Sequence, residues 1–320
     1  MKLHPLQFEP ILKERIWGGE KLKTILNKPI TSKITGESWE ISTVEGDVSV
    51  ISNGNWAGKS LNELIDSNPE ALLGTKVYSK FGKQFPLLFK YLDAREDLSI
   101  QVHPNDELAQ KRHNSFGKTE MWYVMQADKD AELIVGFKED SNAKEYLENL
   151  KNKTLLSILD NVKVEVGDVF FLETGTVHAI GAGMVIAEIQ QTSDITYRLY
   201  DFDRVDAAGN QRELHVDLAL DAINYKKIDT YKKYNKNRNQ SNTVVDCPYF
   251  TTNFIPLDKA LEVNKSGESF TVYMCVEGDF ELEYEGVKYK YIKGDTVLIP
   301  ALLNNFTLNG KASLLEIYIS

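Results

Sequence analysis

Cysteine is almost absent from this chain: there are 2 in 320 residues, Cys247 and Cys275, far apart and in no paired spacing. That excludes a disulfide scaffold and a Cys-rich zinc or redox motif, and two free thiols are expected. Long apolar runs are also missing. No stretch reaches the length of a membrane span, and Met1-Lys2-Leu3-His4-Pro5 does not lead into the apolar segment of a secretory leader. A cytoplasmic protein without membrane contact is therefore expected. Positive charge is in deficit, with 37 Lys+Arg against 47 Asp+Glu and a net charge of −10. This argues against a nucleic-acid surface, and an anionic substrate would need a local cluster of cations to overcome the global field. With only 5 histidines and no compact ligand motif, any metal site must be assembled from distant segments.

The chain is long enough for about two domains, and its 42% hydrophobic and 26% charged content is that of an ordinary globular protein. Leu98-Ser99-Ile100-Gln101-Val102-His103 alternates apolar and polar residues. A strand of period two puts Leu98, Ile100 and Val102 on one face and Ser99, Gln101 and His103 on the other. Gln101 and His103 can then grip one ion. Lys118 and Glu120 share parity at the start of another strand, and His178 sits in the Gly-flanked segment Gly175-Thr176-Val177-His178-Ala179-Ile180-Gly181. One amide oxygen, two imidazoles and one carboxylate suit Zn²⁺, with Mn²⁺, Fe²⁺ or Co²⁺ as alternatives. The remaining histidines, His4, His113 and His215, read as packing or surface residues.

Elsewhere the pattern is mainly β with helical insertions. Strands are expected around 36–42, 85–92, 121–137 and 162–200, and from Val244 to the end. Helices are expected at 59–78 behind the cap Ser60, at 104–112, over 139–160, and at Leu214–Tyr225. Trp17-Gly18-Gly19, Glu277-Gly278-Asp279 and Lys293-Gly294-Asp295 read as turns. The polar segment Tyr225–Asn242 divides the chain into 1–235 and 236–320.

Two regions resemble each other in the same order. Met121 to Asp128 matches Val272 to Asp279, and Gly167-Asp168-Val169-Phe170-Phe171-Leu172 matches Gly294-Asp295-Thr296-Val297-Leu298-Ile299. His178 falls eleven residues after Gly167, and Asn305 eleven after Gly294. In that register Glu120 corresponds to Thr271. Two jelly-roll units follow, the second degenerate and without metal-binding groups. Its simplest role is to bury an edge of the first.

The run Glu188 to Arg204 is dense in polar residues. Glu188 alternates with apolar Val185, Ala187 and Ile189 and so can share a polar interior. Arg198 has two readings, a site group or a surface partner of Asp194 or Asp201, and Lys90 can simply extend its charge to water.

Gln-Val-His-Pro-Asn-Asp (101–106), Gly-Lys-Thr-Glu-Met-Trp-Tyr (117–123), Gly-Thr-Val-His-Ala-Ile-Gly (175–181) and the run to Tyr197-Arg198 together resemble the type I mannose-6-phosphate isomerases, in their short bacterial form. The resemblance extends from Ile16-Trp17-Gly18-Gly19 through Arg204. It implies a cupin enzyme with one zinc ion per chain that interconverts mannose 6-phosphate and fructose 6-phosphate through an enediol. By motif it implies Gln101, His103, Glu120 and His178 as metal ligands and Arg198 as the catalytic arginine. Lys118 would be an active-site lysine, Ser99 and Lys90 would hold the phosphate, and Glu188 and Asp194 would be acidic residues of the site. Lys118 and Glu188 are both candidates for the proton shuttle, and a metal and an arginine beside Lys118 would depress its pKa. The partner is a small phosphorylated sugar, and the oligomeric state is left open. Two other classes compete: a different metal-dependent cupin enzyme such as a dioxygenase, and a non-catalytic sugar-binding jelly roll.

Overall fold

The computed structural model describes residues 2–205 and 209–320. In chain order the strands of the first half are β1 (Ile11–Gly19), β2 (Thr35–Ile41), the short hairpin β3 (Thr43–Val44) and β4 (Asp47–Val48), β5 (Leu87–Ala94), β6 (Ile100–Val102), β7 (Glu120–Ala127), β8 (Glu132–Phe137), β9 (Leu159–Lys163), β10 (Val169–Leu172), β11 (His178–Ile180), β12 (Met184–Gln191) and β13 (Tyr197–Tyr200). The second half adds β14 (Asn242–Asp246), β15 (Thr251–Leu257), β16 (Leu261–Asn264), β17 (Thr271–Tyr284), β18 (Val287–Ile292), β19 (Thr296–Ile299) and β20 (Asn305–Tyr318).

Two sheets build the first jelly roll, a six-stranded one in the order β1-β2-β5-β12-β7-β10 and a five-stranded one in the order β13-β6-β11-β8-β9. Alternation along β12 sets the layering. Ile186 packs inside with Trp122, Val124, Leu92 and Trp17. Val185, Ala187 and Ile189 point outward, into the core shared with the second sheet. That core joins Tyr123 to Phe254 as stacked rings and Phe171 to Phe250 edge to face. The second unit thus covers a whole face of the first, where burial of an edge was expected.

The internal repeat is reproduced bond for bond. Leu172 pairs with Glu120 and Val169 with Tyr123, while Ile299 pairs with Thr271 and Thr296 with Met274. Gly167 donates to the Val124 carbonyl and Gly294 to that of Cys275, both at 2.8 Å. These are the same positions in the two repeats. Both glycines have positive φ, +91° and +93°, which a side chain would resist.

Several local expectations are corrected. Gly278 is not in a turn. It sits in β17 beside a register shift between Cys275 and Glu277, with φ +75° and room for no Cβ against the Lys311 carbonyl. A bulge, like a turn, recruits glycine. Trp17-Gly18-Gly19 ends β1, where the backbone of Ile34 and Gly36 comes too close to Gly18 for a side chain. The helix expected over 59–78 is three short ones, Leu61–Ser67, Pro69–Leu73 and Thr75–Phe81, the first closed by a Ser60–Glu63 capping box. The helix expected over Leu214–Tyr225 is confined to Val216–Leu220. Within 139–160 only Ala143–Lys151 is α-helical.

Candidate active site

β6 begins at Ile100, so Leu98 leaves the expected face and packs with the barrel interior, while Ile100 and Val102 join the outer cluster of their sheet. Gln101 pairs with His178 on one neighbour and Arg198 on the other. Directly paired residues share a face, so Arg198, Gln101 and His178 form a row across three strands. His103 lies two residues beyond Gln101, on the same face. From the opposite sheet β7 brings Glu120.

His103, Glu120 and His178 converge, their ligating atoms all within 4.8 Å of one another. His178 Nε2 is 3.3 Å from Glu120 Oε1, and His103 Nε2 is 3.5 Å from Glu120 Oε2. Bonds of about 2.0–2.2 Å to a tetrahedral ion give ligand separations of this order. Each imidazole Nδ1 donates to a backbone carbonyl, His103 to Ile195 and His178 to Thr176, both at 2.8 Å. That leaves both Nε2 lone pairs aimed at the cluster, as outer-shell carbonyls do around metals. Burial pushes the imidazoles toward their neutral, ligating form, His103 well below its usual range and His178 to about 3, with the Lys118 charge adding to it. Burial raises Glu120 to about 7 against the pull of Lys118. His178 Nε2 and Glu120 Oε1 are buried without a hydrogen-bond partner. Such orphaned groups each cost roughly 1–3 kcal/mol, and a divalent cation satisfies both.

Lys118, bonded to Glu120, joins the cluster to a cavity of about 540 Å³ that is also lined by Gln101, Lys90, Glu188, Asp194 and Arg198, among others. Lys118 bonds Glu120 and lies 3.0 Å from His103 Nε2. Burial lowers its pKa, but Glu120 and Glu188 outweigh burial and raise it, contrary to the expected depression. Glu188 is locked: Lys90 Nζ lies 3.1 Å from Oε1, and Trp122 Nε1 donates to Oε2 at 2.9 Å. Against the cost of burial, Lys118 and Lys90 hold this carboxylate down to about 2. Asp194 is an exposed rim residue. Arg198 pairs with neither Asp194 nor Asp201. Its guanidinium donates to the Glu213 carbonyl at 2.8 Å, and Nε is buried without a partner. Ser99 is buried, and the cavity wall is formed instead by its neighbour Leu98 and by Gln101.

Other wall residues escaped the sequence reading: Lys13, Arg15, Glu37, Trp39 and Arg212. Glu37 and Trp39 share strand parity, a usable signal. Arg212 reaches the wall from outside any strand and had none. His113 and His215 are packing residues, bonded to the Tyr197 hydroxyl and the Arg198 backbone N–H respectively.

A jelly roll with a buried His–Glu–His cluster beside a charged cavity defines a cupin-type site suited to a metal. A family model for the catalytic domain of type I phosphomannose isomerase matches residues 6–166, and one for the mannose-6-phosphate isomerase cupin domain matches 240–319. The chain is 38% identical to the mannose-6-phosphate isomerase ManA of Bacillus subtilis over 98% of each chain. It is 33% identical to the mannose-6-phosphate isomerase of Streptococcus mutans over 96% of this chain and 95% of the relative. A crystal structure of the mannose 6-phosphate isomerase from Bacillus subtilis superposes with a TM-score of 0.90 at 34% identity, covering 98% of this chain and 99% of the other. The chain belongs to the type I phosphomannose isomerase family, whose members are metal-dependent.

Proposed function

We propose that the chain interconverts mannose 6-phosphate and fructose 6-phosphate, with one divalent cation, zinc, held by Gln101, His103, Glu120 and His178. The observation that carries this reading is the pair of orphaned atoms, His178 Nε2 and Glu120 Oε1, linked through Lys118 to a cavity whose wall interleaves basic and acidic side chains. When bound, the cation supplies Lewis-acid stabilisation of the oxygens at C1 and C2. The chain's own residues do the rest. Arg198, which lies beside Gln101 in the sheet, holds developing negative charge on the enediolate. Lys118 moves the proton between C1 and C2; the Glu120 carboxylate that keeps its amine protonated is taken up by the cation when bound, which lets the amine act as a base. Glu188, fixed as an anion by Lys90 and Trp122, is too weak a base for that task and instead keeps Lys90 in place.

The phosphate needs cations that are not already neutralised. Lys13 is paired with Asp47, Arg15 with Glu37 and Lys90 with Glu188. Among the described residues Asp201 is the carboxylate that serves both Arg204 and Arg212. Arg198 has only a carbonyl acceptor for its guanidinium among the described residues. This end of the cavity carries surplus positive charge, so Arg212 takes the phosphate while Arg198 is kept for the enediolate, and Lys90 is a wall residue. Residues 1–235 carry the chemistry and 236–320 back it. A phosphorylated sugar does not leave the cytoplasm unaided, so the enzyme works there; among the described residues no helix is long and apolar enough to cross a membrane.

The test is a coupled assay for fructose 6-phosphate formed from mannose 6-phosphate. Turnover lost to a chelator and restored by zinc supports the reading. Tight sugar binding without turnover, or turnover indifferent to the chelator, overturns it.

A further inference from the structure

The segment that presents Lys118 and Glu120 is anchored from the second jelly roll. Tyr249, on the turn between β14 and β15, donates its hydroxyl to Asp106 Oδ2 at 2.9 Å. The other oxygen of Asp106 accepts the Gly117 backbone N–H at 2.8 Å and the Gln191 side-chain amide at 3.0 Å. Gln191 Oε1 accepts the Thr119 N–H at 2.9 Å, and the Gln191 N–H donates to the Thr119 carbonyl at 3.1 Å. The peptide N–H groups on both sides of Lys118 therefore end in one network whose outer member is Tyr249. The same carboxylate belongs to the first residue of the helix Asp106–His113, which starts three residues after His103. Gly117 makes the approach workable: a Cβ there would lie 2.8 Å from the Asp106 nitrogen.

We propose that Tyr249 is a positioning residue for the isomerase site. It acts through Asp106 and Gln191 to fix the backbone that aims Lys118, so the second jelly roll takes part in turnover as well as covering a sheet face. The proposal rests on the reading of Lys118 as the proton-moving group. A phenol bonded to a doubly used carboxylate restrains both registers of the 117–119 segment at once. Loosening it shifts the Lys118 amine while leaving the imidazole ligands, which are oriented by Ile195 and Thr176, where they are.

The test compares zinc-loaded wild type with Tyr249→Phe, Asp106→Asn and the double variant. Tyr249→Phe is expected to lower kcat about tenfold, within the ~100-fold that an ångström of misplacement can cost. KM for mannose 6-phosphate stays within about twofold and one zinc per chain is retained. The double variant is expected to be no slower than Asp106→Asn alone, because the two groups act in one relay. Wild-type kcat in Tyr249→Phe, a kcat loss that tracks lost zinc, or losses that multiply in the double variant would each overturn the proposal. Lys118→Met separates this failure from failure of the underlying reading: if that variant turns over normally, the role of Lys118 falls first.

Discussion

Replacing Lys118 by methionine tests the assignment of the proton-moving group. The substitution keeps an unbranched side chain of similar bulk, one atom shorter, and removes the amine with its charge and protons. Lys118 is 4% exposed, bonded to Glu120 and 3.0 Å from His103 Nε2, so no solvent group takes its place. A positioned acid or base contributes about 10²–10⁴-fold, which is roughly 2.7–5.5 kcal/mol of barrier at 1.36 kcal/mol per tenfold. The fold should tolerate the loss. Glu188 keeps Lys90 at 3.1 Å, and in zinc-loaded protein the cation offsets the charge of Glu120. The coupled assay on zinc-loaded Lys118→Met should therefore show kcat lowered at least a hundredfold, with one zinc per chain and no washout of deuterium from substrate labelled at C2. Turnover within threefold of wild type, with zinc in place, would refute the reasoning.

Arg212→Ala should raise KM for mannose 6-phosphate about tenfold with kcat within threefold, because it removes binding shared by ground and transition states; inhibition by inorganic phosphate should weaken in parallel. Glu188→Gln should destabilise the protein by about 3 kcal/mol in denaturant melts, because it removes the direct carboxylate partner of the buried Lys90 and leaves only the Arg15-bound Glu37 to offset its charge. Glu188 has a folded pKa of about 2, depressed below its ordinary 4.5. Its stabilisation is therefore complete above about pH 4.5 and fades as the pH falls toward 2, so the gap between Glu188→Gln and wild type should close over that range. Gly278→Ala should cost about 2 kcal/mol or more, since its φ is +75° and its Cβ would meet the Lys311 carbonyl; an unchanged melting midpoint would contradict the bulge geometry.

The legible parts of the molecule were those written in local periodicity. The alternation Gln101–Val102–His103 and the parity of Lys118 with Glu120 survive folding because a strand forces them. The repeat was readable because a Gly-Asp pair with positive φ at the glycine marks the same hydrogen-bonded turn in both units. Leu98 was misplaced because the strand starts two residues later than its alternation suggests. Gly278 was misread because bulges and turns ask the same thing of a glycine. Arg212 and Tyr249 had no local signature at all. Arg212 is tied to Asp201 from an irregular segment with no period to read, and Tyr249 acts through Asp106, far along the chain. The four candidate ligands could be read from strand parity and donor chemistry, whereas the catalytic role of Arg198 came from resemblance; in the structure His103, Glu120 and His178 cluster, and Arg198, Gln101 and His178 form a row.

The central claim is that four side chains from three segments close on one cation. Crystals grown with zinc and measured at the zinc absorption edge address it directly. A single anomalous peak about 2.0–2.2 Å from His103 Nε2, His178 Nε2, the Glu120 carboxylate and the Gln101 amide oxygen is the predicted result. No peak at that position, or a peak held by other residues, would contradict the account.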